Sequence, residues 1–319
     1  MDLQSLQARR EDRRRAIRRR RLVTIASLFA VATVVIVVFA LSSGASAPAP
    51  KHSSGAISSH RRHASSSSIQ QASAVKNDPP GQARVPILMY HVIAPPPTGA
   101  PFPGLYVDPA NFAEQMTALK DAGWHAVTPD EMEAYWQHGT PLPKGKPIVI
   151  SFDNGYQSQF TQALPVLRRL GWVAEENIQL SGLPPSQGGL GIDEIRGMVS
   201  AGWELDTQGI SHADLITLDA KQLHEQVAGA REEIRRRFHV PVNWFCYPSG
   251  HYNPTVVAAV KAAGYTGSTT VVPGWATRAE DPYRLPRLRV LRGTTGRQLL
   301  ALLAGIREDP PPPLSYPSS

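Results

Sequence analysis

Ionisable and polar residues follow four apolar, β-type runs of this sequence. One run ends at His91, and another leads into the Asp-Asn-Gly segment at 153–155. A third leads from Asp206 to His212, and a fourth into the Tyr-Pro-Ser-Gly turn at 247–250. Carboxylates and imidazoles in such places act as general bases, proton donors and metal ligands. A single strand-end Asp is as often a helix cap, but four such strand ends in succession indicate one common site.

The elements that must position these residues alternate between strand and helix from about residue 84 to 306. Five apolar runs predict strands: Val85–His91, Ile148–Asp153, Trp203–Thr207, Trp244–Tyr247 and Arg287–Leu291. Proline after a capping residue predicts helices that begin after Asp108, Thr128 and Asn253. Apolar spacing predicts two more helices, one with a kink or a later start at Pro165 and one over Leu223–Ile234. This alternation indicates an α/β protein with a parallel sheet or barrel, whose strand ends meet at one edge.

The same motifs, in the same order, resemble the polysaccharide deacetylases of the NodB-like type, carbohydrate esterase family 4. The family's usual Thr-Phe-Asp-Asp-Gly corresponds to 151–155, its His-x-x-x-His to 208–212 and its Tyr-Pro-x-Gly to 247–250. The segments 86–91 and 281–287 also look like this family, so the resemblance covers about 220 residues. It implies a distorted parallel β/α barrel that hydrolyses N-acetyl groups of cell-wall or capsular amino sugars.

The resemblance also implies a division of roles among the site residues. Asp153 matches the general base, His91 the proton donor, and Ser249 the residue whose backbone N–H holds the developing oxyanion. The family binds a divalent metal, usually zinc, through a second Asp and two His, of which His212 matches one. Such a metal polarises the acetamide carbonyl and activates water, which this poor electrophile needs.

Two of the three metal ligands of the family are replaced by amides in this chain. Asn154 stands where the family has the second Asp, and Gln208 where it has the first His. Neutral amides are weaker donors to zinc, so we expect weak or absent zinc binding. Asp206 shares a strand face with Gln208 and is the candidate for a replacement carboxylate. Cys246 stands where many members have Arg, so we expect the base Asp153 to lack that partner.

Aromatic residues near the same loops suggest a binding surface for sugar rings. Tyr156, Tyr247 and Trp275 are the candidates for substrate binding. Ordinary packing at the rim of a barrel is an alternative that the sequence leaves open. Two functional hypotheses therefore remain: an active N-deacetylase, and an inactive relative that binds cell-wall glycan.

The charge of the chain is concentrated at its N-terminus. The net charge is +7, but residues 1–21 hold nine arginines and three acids, which leaves the body nearly neutral and argues against nucleic acid as a partner. Residues 22–41 are uncharged and long enough to span a bilayer, and the preceding arginines place the N-terminus in the cytoplasm. We expect a single-pass membrane anchor with an extracytoplasmic domain at 84–306. The alternative is a secreted protein, cleaved near Ala47.

The remaining segments carry no recognisable chemistry. Residues 42–83 are rich in Ser, Ala and Pro and predict a flexible linker, and 307–319 predict a short proline-rich tail. The chain has one cysteine, so neither an intrachain disulfide nor a cysteine-built zinc site can form.

Overall fold

The computed structural model describes residues 81–183, 188–305 and 312–316. The strands in this part of the chain are β1 Val85–Tyr90, β2 Trp124–Val127, β3 Lys146–Asn154, β4 Glu175–Ile178, β5 Glu204–Thr207, β6 Trp244–Cys246, β7 Gly267–Thr269, β8 Trp275–Ala276 and β9 Leu288–Arg289. The α-helices are α1 Pro109–Asp121, α2 Pro129–His138, α3 Leu164–Leu170, α4 Ile192–Ser200, α5 Ala220–His224, α6 Ala230–Phe238, α7 Pro254–Ala262 and α8 Gly296–Gly305. Five-residue π-helical turns precede α3 and α6.

The strands form one curled sheet in the order β7-β6-β5-β4-β3-β1-β8, with β2 on β3 and β9 on β1. All neighbours are parallel except β1 and β8. The segment 285–290 bonds to both edges. The Leu285 N–H donates to the Ser268 carbonyl of β7, and the Val290 N–H donates to the Met89 carbonyl of β1. The predicted α/β fold with a distorted parallel barrel is therefore confirmed as a curled parallel sheet whose edges are linked through this segment.

The helices begin where the capping residues of the sequence predict. The Asp108 carboxylate accepts the Ala110 N–H at 2.9 Å, and the Asn253 side chain accepts the Val256 N–H at 2.9 Å. Thr128 and Glu131 form a reciprocal capping box. Pro165 lies inside a continuous helical run from 157 to 170, directly after the π-helical turn Gln159–Ala163, which supports the predicted kink rather than a later start of the helix.

The core lies between the outer face of the sheet and the helices. Phe152 of β3 stacks on Trp203 at 5.1 Å and on Tyr90 at 5.6 Å between ring centroids. The inner face of the sheet is unusually polar, because several fully buried carboxyl and amide groups line it: Asp153, Glu175, Asn177 and Asp206. Burial of such groups is costly unless each is paired or neutral, so this interior constrains the chemistry of the site.

The sequence-based predictions for the N-terminus lie outside the described residues. These are the cytoplasmic segment 1–21, the membrane helix 22–41 and most of the linker 42–83. Within the described residues, no helix is both long and apolar enough to cross a membrane. Part of the predicted tail packs on the body, since Tyr316 exchanges two backbone hydrogen bonds with Tyr252 and Arg284 donates to the Pro312 carbonyl.

Candidate functional site

The carboxyl ends of β1, β3, β5 and β6 meet at one end of the barrel, which we call the mouth. The loops that leave these strands carry three of the four non-glycine residues with left-handed backbone in the described chain: Asn154 (φ 78°), His212 (φ 53°) and Ser249 (φ 57°). The fourth, His239, caps the C-terminus of α6. Such backbone costs energy for residues other than glycine and is concentrated at functional loops, so its position supports the predicted site.

Asp153 is held by a buried arginine. Arg287 donates two hydrogen bonds to it, Nη1 to Oδ1 at 2.8 Å and Nη2 to Oδ2 at 2.9 Å, and both residues are only 1% exposed. Burial alone would raise the pKa of Asp153, but the guanidinium outweighs it and the pKa is lowered. Asp153 is therefore ionised at neutral pH, as a general base must be. Asn177 of β4 donates a further hydrogen bond to Oδ1 at 3.3 Å.

The expectation that Asp153 lacks an arginine partner is therefore wrong. Position 246 holds cysteine, but Arg287 reaches Asp153 from the segment that links the two edges of the sheet. The two residues are 134 positions apart, so local spacing gives no indication of the pair. The sequence did contain one indication of this pair: Arg287 lies in a predicted strand among apolar residues, and a buried charge requires a partner of opposite charge.

His91 lies beside the base, with its Nε2 4.0 Å from Asp153 Oδ2. The pKa of His91 is lowered to about 4: burial is the largest cause, Asp153 opposes it, and the positive charges of Arg287 and Arg289 act in the same direction as burial. His91 therefore does not have the ordinary imidazole pKa, near neutral pH, on which its assignment as proton donor relied. The imidazole is neutral at neutral pH, and its role as proton donor stays a prediction.

The two amides that replace metal ligands bond to each other. Asn154 Nδ2 donates to Gln208 Oε1 at 3.0 Å, and Gln208 Nε2 donates to the Sγ of Cys246 at 3.1 Å. The same sulfur accepts Arg287 Nη2 at 3.1 Å and lies 3.7 Å from Asp153 Oδ2. Burial raises the pKa of Cys246 to about 12, so it is a neutral thiol in this network. A chain of neutral hydrogen bonds thus occupies the side of the mouth where the family has metal ligands.

The residues on this side do not fit the zinc ion that the resemblance implies. Asn154, Gln208 and His212 offer two neutral amides and one imidazole, and the Gln208 oxygen already accepts a hydrogen bond. In the described part of the chain, no group of three His, Cys, Asp or Glu side chains is arranged to hold a metal ion. Zinc sites are built from thiolate, imidazole and carboxylate ligands. The donor set here lacks the anionic carboxylate and the second imidazole of the family's site.

Asp206 does not supply the replacement carboxylate that we predicted. Its Oδ1 accepts the backbone N–H groups of Asn243 and Trp244 at 2.9 and 2.8 Å, at the start of β6. In the strand register it lies level with Asn177, one layer below Gln208. Burial raises the pKa of Asp206 to about 7. Asp206 shares a strand face with Gln208, but this does not bring its carboxyl group to the mouth, because the backbone N–H groups of β6 hold it inside the barrel.

Two more carboxyl groups lie in this interior beside Asp206. Burial, and then the charge of Asp206, raise the pKa of Glu175 and of Glu204 well above the usual range. Neither carboxylate oxygen of Glu175 has a hydrogen-bond partner among the described residues. We conclude that these groups are held mainly in the neutral form.

Of the three predicted substrate-binding aromatics, only Tyr156 lies at the mouth, half-buried directly after β3. Tyr247 is 1% exposed, donates its hydroxyl to the Tyr283 carbonyl and stacks on Tyr252 at 4.9 Å, so it is a core residue. Trp275 pairs with the start of β1 and packs on Trp124, at the opposite end of the barrel. From the sequence, all three are aromatic residues near the predicted loops, so the residue at the mouth could not be distinguished from the two in the core. Ser249 is exposed in its loop at the mouth, and its predicted role stays untested.

The curled parallel sheet, with an arginine-held aspartate and a histidine at its carboxyl edge, defines a deacetylase-type α/β barrel. The polysaccharide deacetylase family model matches residues 141–268. The Bacillus subtilis (strain 168) protein YxkH, named as a polysaccharide deacetylase, is 29% identical over 73% of this chain and 80% of its own length. Residues 141–268 therefore form part of a polysaccharide deacetylase domain of the NodB-like type.

A solved structure and a second relative agree with this assignment. The polysaccharide deacetylase BA0330 of Bacillus anthracis superposes with a TM-score of 0.62 at 29% identity, covering 69% of each chain. A short stretch of 61 residues, 19% of this chain, is 36% identical to the poly-β-1,6-N-acetyl-D-glucosamine N-deacetylase of Escherichia coli (strain K12) and covers 9% of that protein.

Proposed function

We propose that this protein binds N-acetylated amino-sugar polysaccharide of the cell envelope and does not act as a zinc-dependent deacetylase. One observation carries the second half of this proposal: Asn154 and Gln208 satisfy each other by a hydrogen bond at 3.0 Å where the family binds its metal. Family membership supports the first half. The E. coli relative, named for an N-acetylglucosamine polymer, points to the same class of ligand.

The chemistry of the acetamide explains why this change matters. An acetamide carbonyl is a poor electrophile, and water is a weak nucleophile near neutral pH. Without a dication, Asp153 alone would have to activate water, and its bond to Arg287 lowers its pKa and hence its basicity. The neutral amides leave a polar surface that can still donate and accept hydrogen bonds from a sugar acetamido group.

Retained deacetylation is the second candidate, and a specific observation favours it. Asp153 is ionised and held by Arg287, as a general base would be, and the imidazole of His91 lies 4.0 Å away. A protein that only binds glycan has no need to retain a buried ion pair at that position. The experiment must therefore measure binding and hydrolysis on the same sample.

The test uses the full-length chain in detergent with a chitin hexamer as ligand. Wild type, Asp153→Asn and the double variant Asn154→Asp/Gln208→His are compared for binding by calorimetry and for acetate release with excess zinc. We expect wild type to bind the hexamer without acetate release, and the double variant to release acetate. Zinc-dependent acetate release by wild type, abolished by a chelator and by Asp153→Asn, would establish the second candidate. Absence of binding would refute the glycan proposal.

We further propose that residues 22–41 anchor the protein in the membrane with the C-terminal domain outside the cytoplasm. The uncharged run of twenty residues behind nine arginines supports this topology. The full-length protein should then fractionate with membranes. Protease added to intact cells should degrade its C-terminal domain. Recovery of a shorter chain in the culture medium, beginning near Ala47, would establish cleavage and secretion instead.

A further inference from the structure

Arg287, directly before β9, and Arg289, the last residue of β9, have opposite environments. Leu288 packs in the outer core, so the alternating side chains of Arg287 and Arg289 share the inner side of the sheet. Arg287 is buried and bound to Asp153, whereas Arg289 is one layer nearer the mouth and exposed. Arg289 is in register with Met89 of β1, two residues before His91. The charge of Arg289 reaches the imidazole, where it contributes to the lowered pKa of His91.

A third arginine lies close by on the loop after β9. Arg292 lines a cavity of about 290 Å³ together with Pro95, Tyr106 and Asn111, outside the carboxyl end of β1. Val92, next to His91, forms a parallel bridge with Tyr106, and the Tyr106 hydroxyl contributes to the raised pKa of Tyr156. The cavity therefore adjoins the mouth.

These two arginines have no carboxylate partner of their own. Neither Arg289 nor Arg292 forms an ion pair with any residue in the described ranges 81–183, 188–305 and 312–316. One acidic residue, Asp108, lines the same cavity, and its Oδ1 caps α1 by accepting the Ala110 N–H.

The charge balance of the mouth therefore favours an anion. Asp153 is neutralised by Arg287, the imidazole of His91 is neutral at neutral pH, and Asn154 has replaced the family's second carboxylate. What remains on the side of the rim beside His91 is the positive charge of Arg289 and Arg292, with Asp108 at the cavity. The carboxylate of Asp214, on the loop after β5, contacts His251 at 3.1 Å. A guanidinium is the side chain best suited to bind a carboxylate, through two parallel hydrogen bonds.

We propose that the mouth selects amino-sugar polymers that carry carboxylate groups, and that Arg289, assisted by Arg292, binds a carboxylate on a sugar next to the acetamido sugar. This inference rests on the proposed function, since it names the substrate class of the same site. Two sources carry this chemistry: a uronic acid that alternates with N-acetylglucosamine, and the lactyl ether of N-acetylmuramic acid. Both place one carboxylate on every second sugar, beside an N-acetylated one.

The experiment compares three hexasaccharides on the full-length chain in detergent: the neutral chitin hexamer, an alternating glucuronate/N-acetylglucosamine hexamer, and an alternating N-acetylmuramate/N-acetylglucosamine hexamer. The variants are Arg289→Gln and Arg292→Gln. Arg169→Gln is the matched control, because Arg169 is an exposed arginine at the C-terminal end of α3, which leads away from the mouth. Thermal unfolding of each variant verifies that the fold is retained.

We expect one or both carboxylated hexamers to bind more tightly than the chitin hexamer, with an advantage that shrinks as salt is added. Arg289→Gln should weaken binding of the carboxylated hexamer about 5- to 30-fold and leave the chitin hexamer within about twofold. Arg292→Gln should have a smaller effect in the same direction, and Arg169→Gln none. The carboxylated hexamer with the larger gain in affinity over the chitin hexamer identifies the source of the carboxylate.

Three results would overturn the inference. Equal binding of neutral and carboxylated hexamers would refute it while the proposed function stands. A carboxylate advantage that survives in Arg289→Gln would remove this residue from the site. Absence of binding for all three ligands would refute both proposals.

Discussion

The two sides of the barrel mouth satisfy their buried polar groups in opposite ways. On one side, Asp153 and Arg287 are fully ionised, almost completely buried and joined by two short hydrogen bonds. On the other, Asn154 and Gln208 are neutral and share one hydrogen bond of 3.0 Å. Cys246 touches both sides, because its sulfur accepts from Gln208 and from Arg287.

The difference shows which part of the site holds buried charges and which part is neutral. A buried ion pair is expensive to keep unless both partners remain, so its retention constrains two distant positions at once. The amide pair needs no ion, since its members satisfy each other and the neighbouring thiol. The binding surface can therefore persist after the chemistry that a metal provides is lost.

The strongest test of the ionic side is the removal of its cation. Arg287→Met leaves Asp153 buried without its partner, so we expect a loss of about 3–5 kcal/mol in the free energy of unfolding, measured in urea. The control is Arg196→Met, which removes an exposed arginine 3.3 Å from Asp193 and should cost at most about 1 kcal/mol. The double variant Asp153→Leu/Arg287→Met should recover most of the loss. Equal effects at positions 287 and 196 would show that the buried pair contributes no more than a surface pair.

A second test concerns the acidic interior below the amide side. The pKa of Asp206 is raised to about 7, above its usual value, so the folded state binds more protons than the unfolded state between about pH 4 and pH 7. The stability contributed by this group is therefore complete below that window and is lost as the pH rises through it. The loss reaches about 1.4 kcal/mol per pH unit for one proton.

Urea unfolding of wild type and Asp206→Asn at about pH 5 and about pH 8 measures this effect. The asparagine keeps an oxygen for the N–H groups of Asn243 and Trp244 but does not titrate in this range. We expect the stability of wild type relative to the variant to fall from the lower pH to the higher one. A difference that does not change with pH would contradict the raised pKa.

The smallest effect is expected on the amide side itself. Gln208→Met keeps the side-chain volume and removes one acceptor and one donor. Because Asn154 is only half-buried and can bond to water instead, we expect a loss of about 1 kcal/mol in the free energy of unfolding. A cost as large as that of Arg287→Met would remove the contrast between the two sides.

Much of this fold could be predicted because its information is local. The starts of α1, α2 and α7 follow from a capping residue and proline, and β1 and β3 from continuous apolar runs. β4 was missed because three of its four residues are Glu175, Glu176 and Asn177, which have no apolar pattern although all are buried. α4 and α8 were missed as well; the N-cap of α4 is Gly191, which has no side chain to cap the helix.

The sequence predicted which residues lie at the site, but not which residues they interact with. Motif order identified Asp153, His91, Asn154 and Gln208. The partner of Asp153 depends on a contact between residues 134 positions apart, and the lowered pKa of His91 depends on burial, and neither can be seen in local spacing. The exclusion of Tyr247 and Trp275 from the mouth has the same cause, since the direction of a side chain depends on the whole sheet.

The most direct test of the central claim is a zinc titration of the full-length wild-type chain beside Asn154→Asp/Gln208→His. His212→Ala in each background assigns any zinc to the mouth rather than to other histidines. We predict no wild-type zinc site tighter than ~1 mM that depends on His212, and an affinity at least ~100-fold higher in the double variant, since even outer-shell changes alter metal affinity ~10–100-fold. One zinc bound per wild-type chain in the micromolar range, and lost in His212→Ala, would contradict the claim.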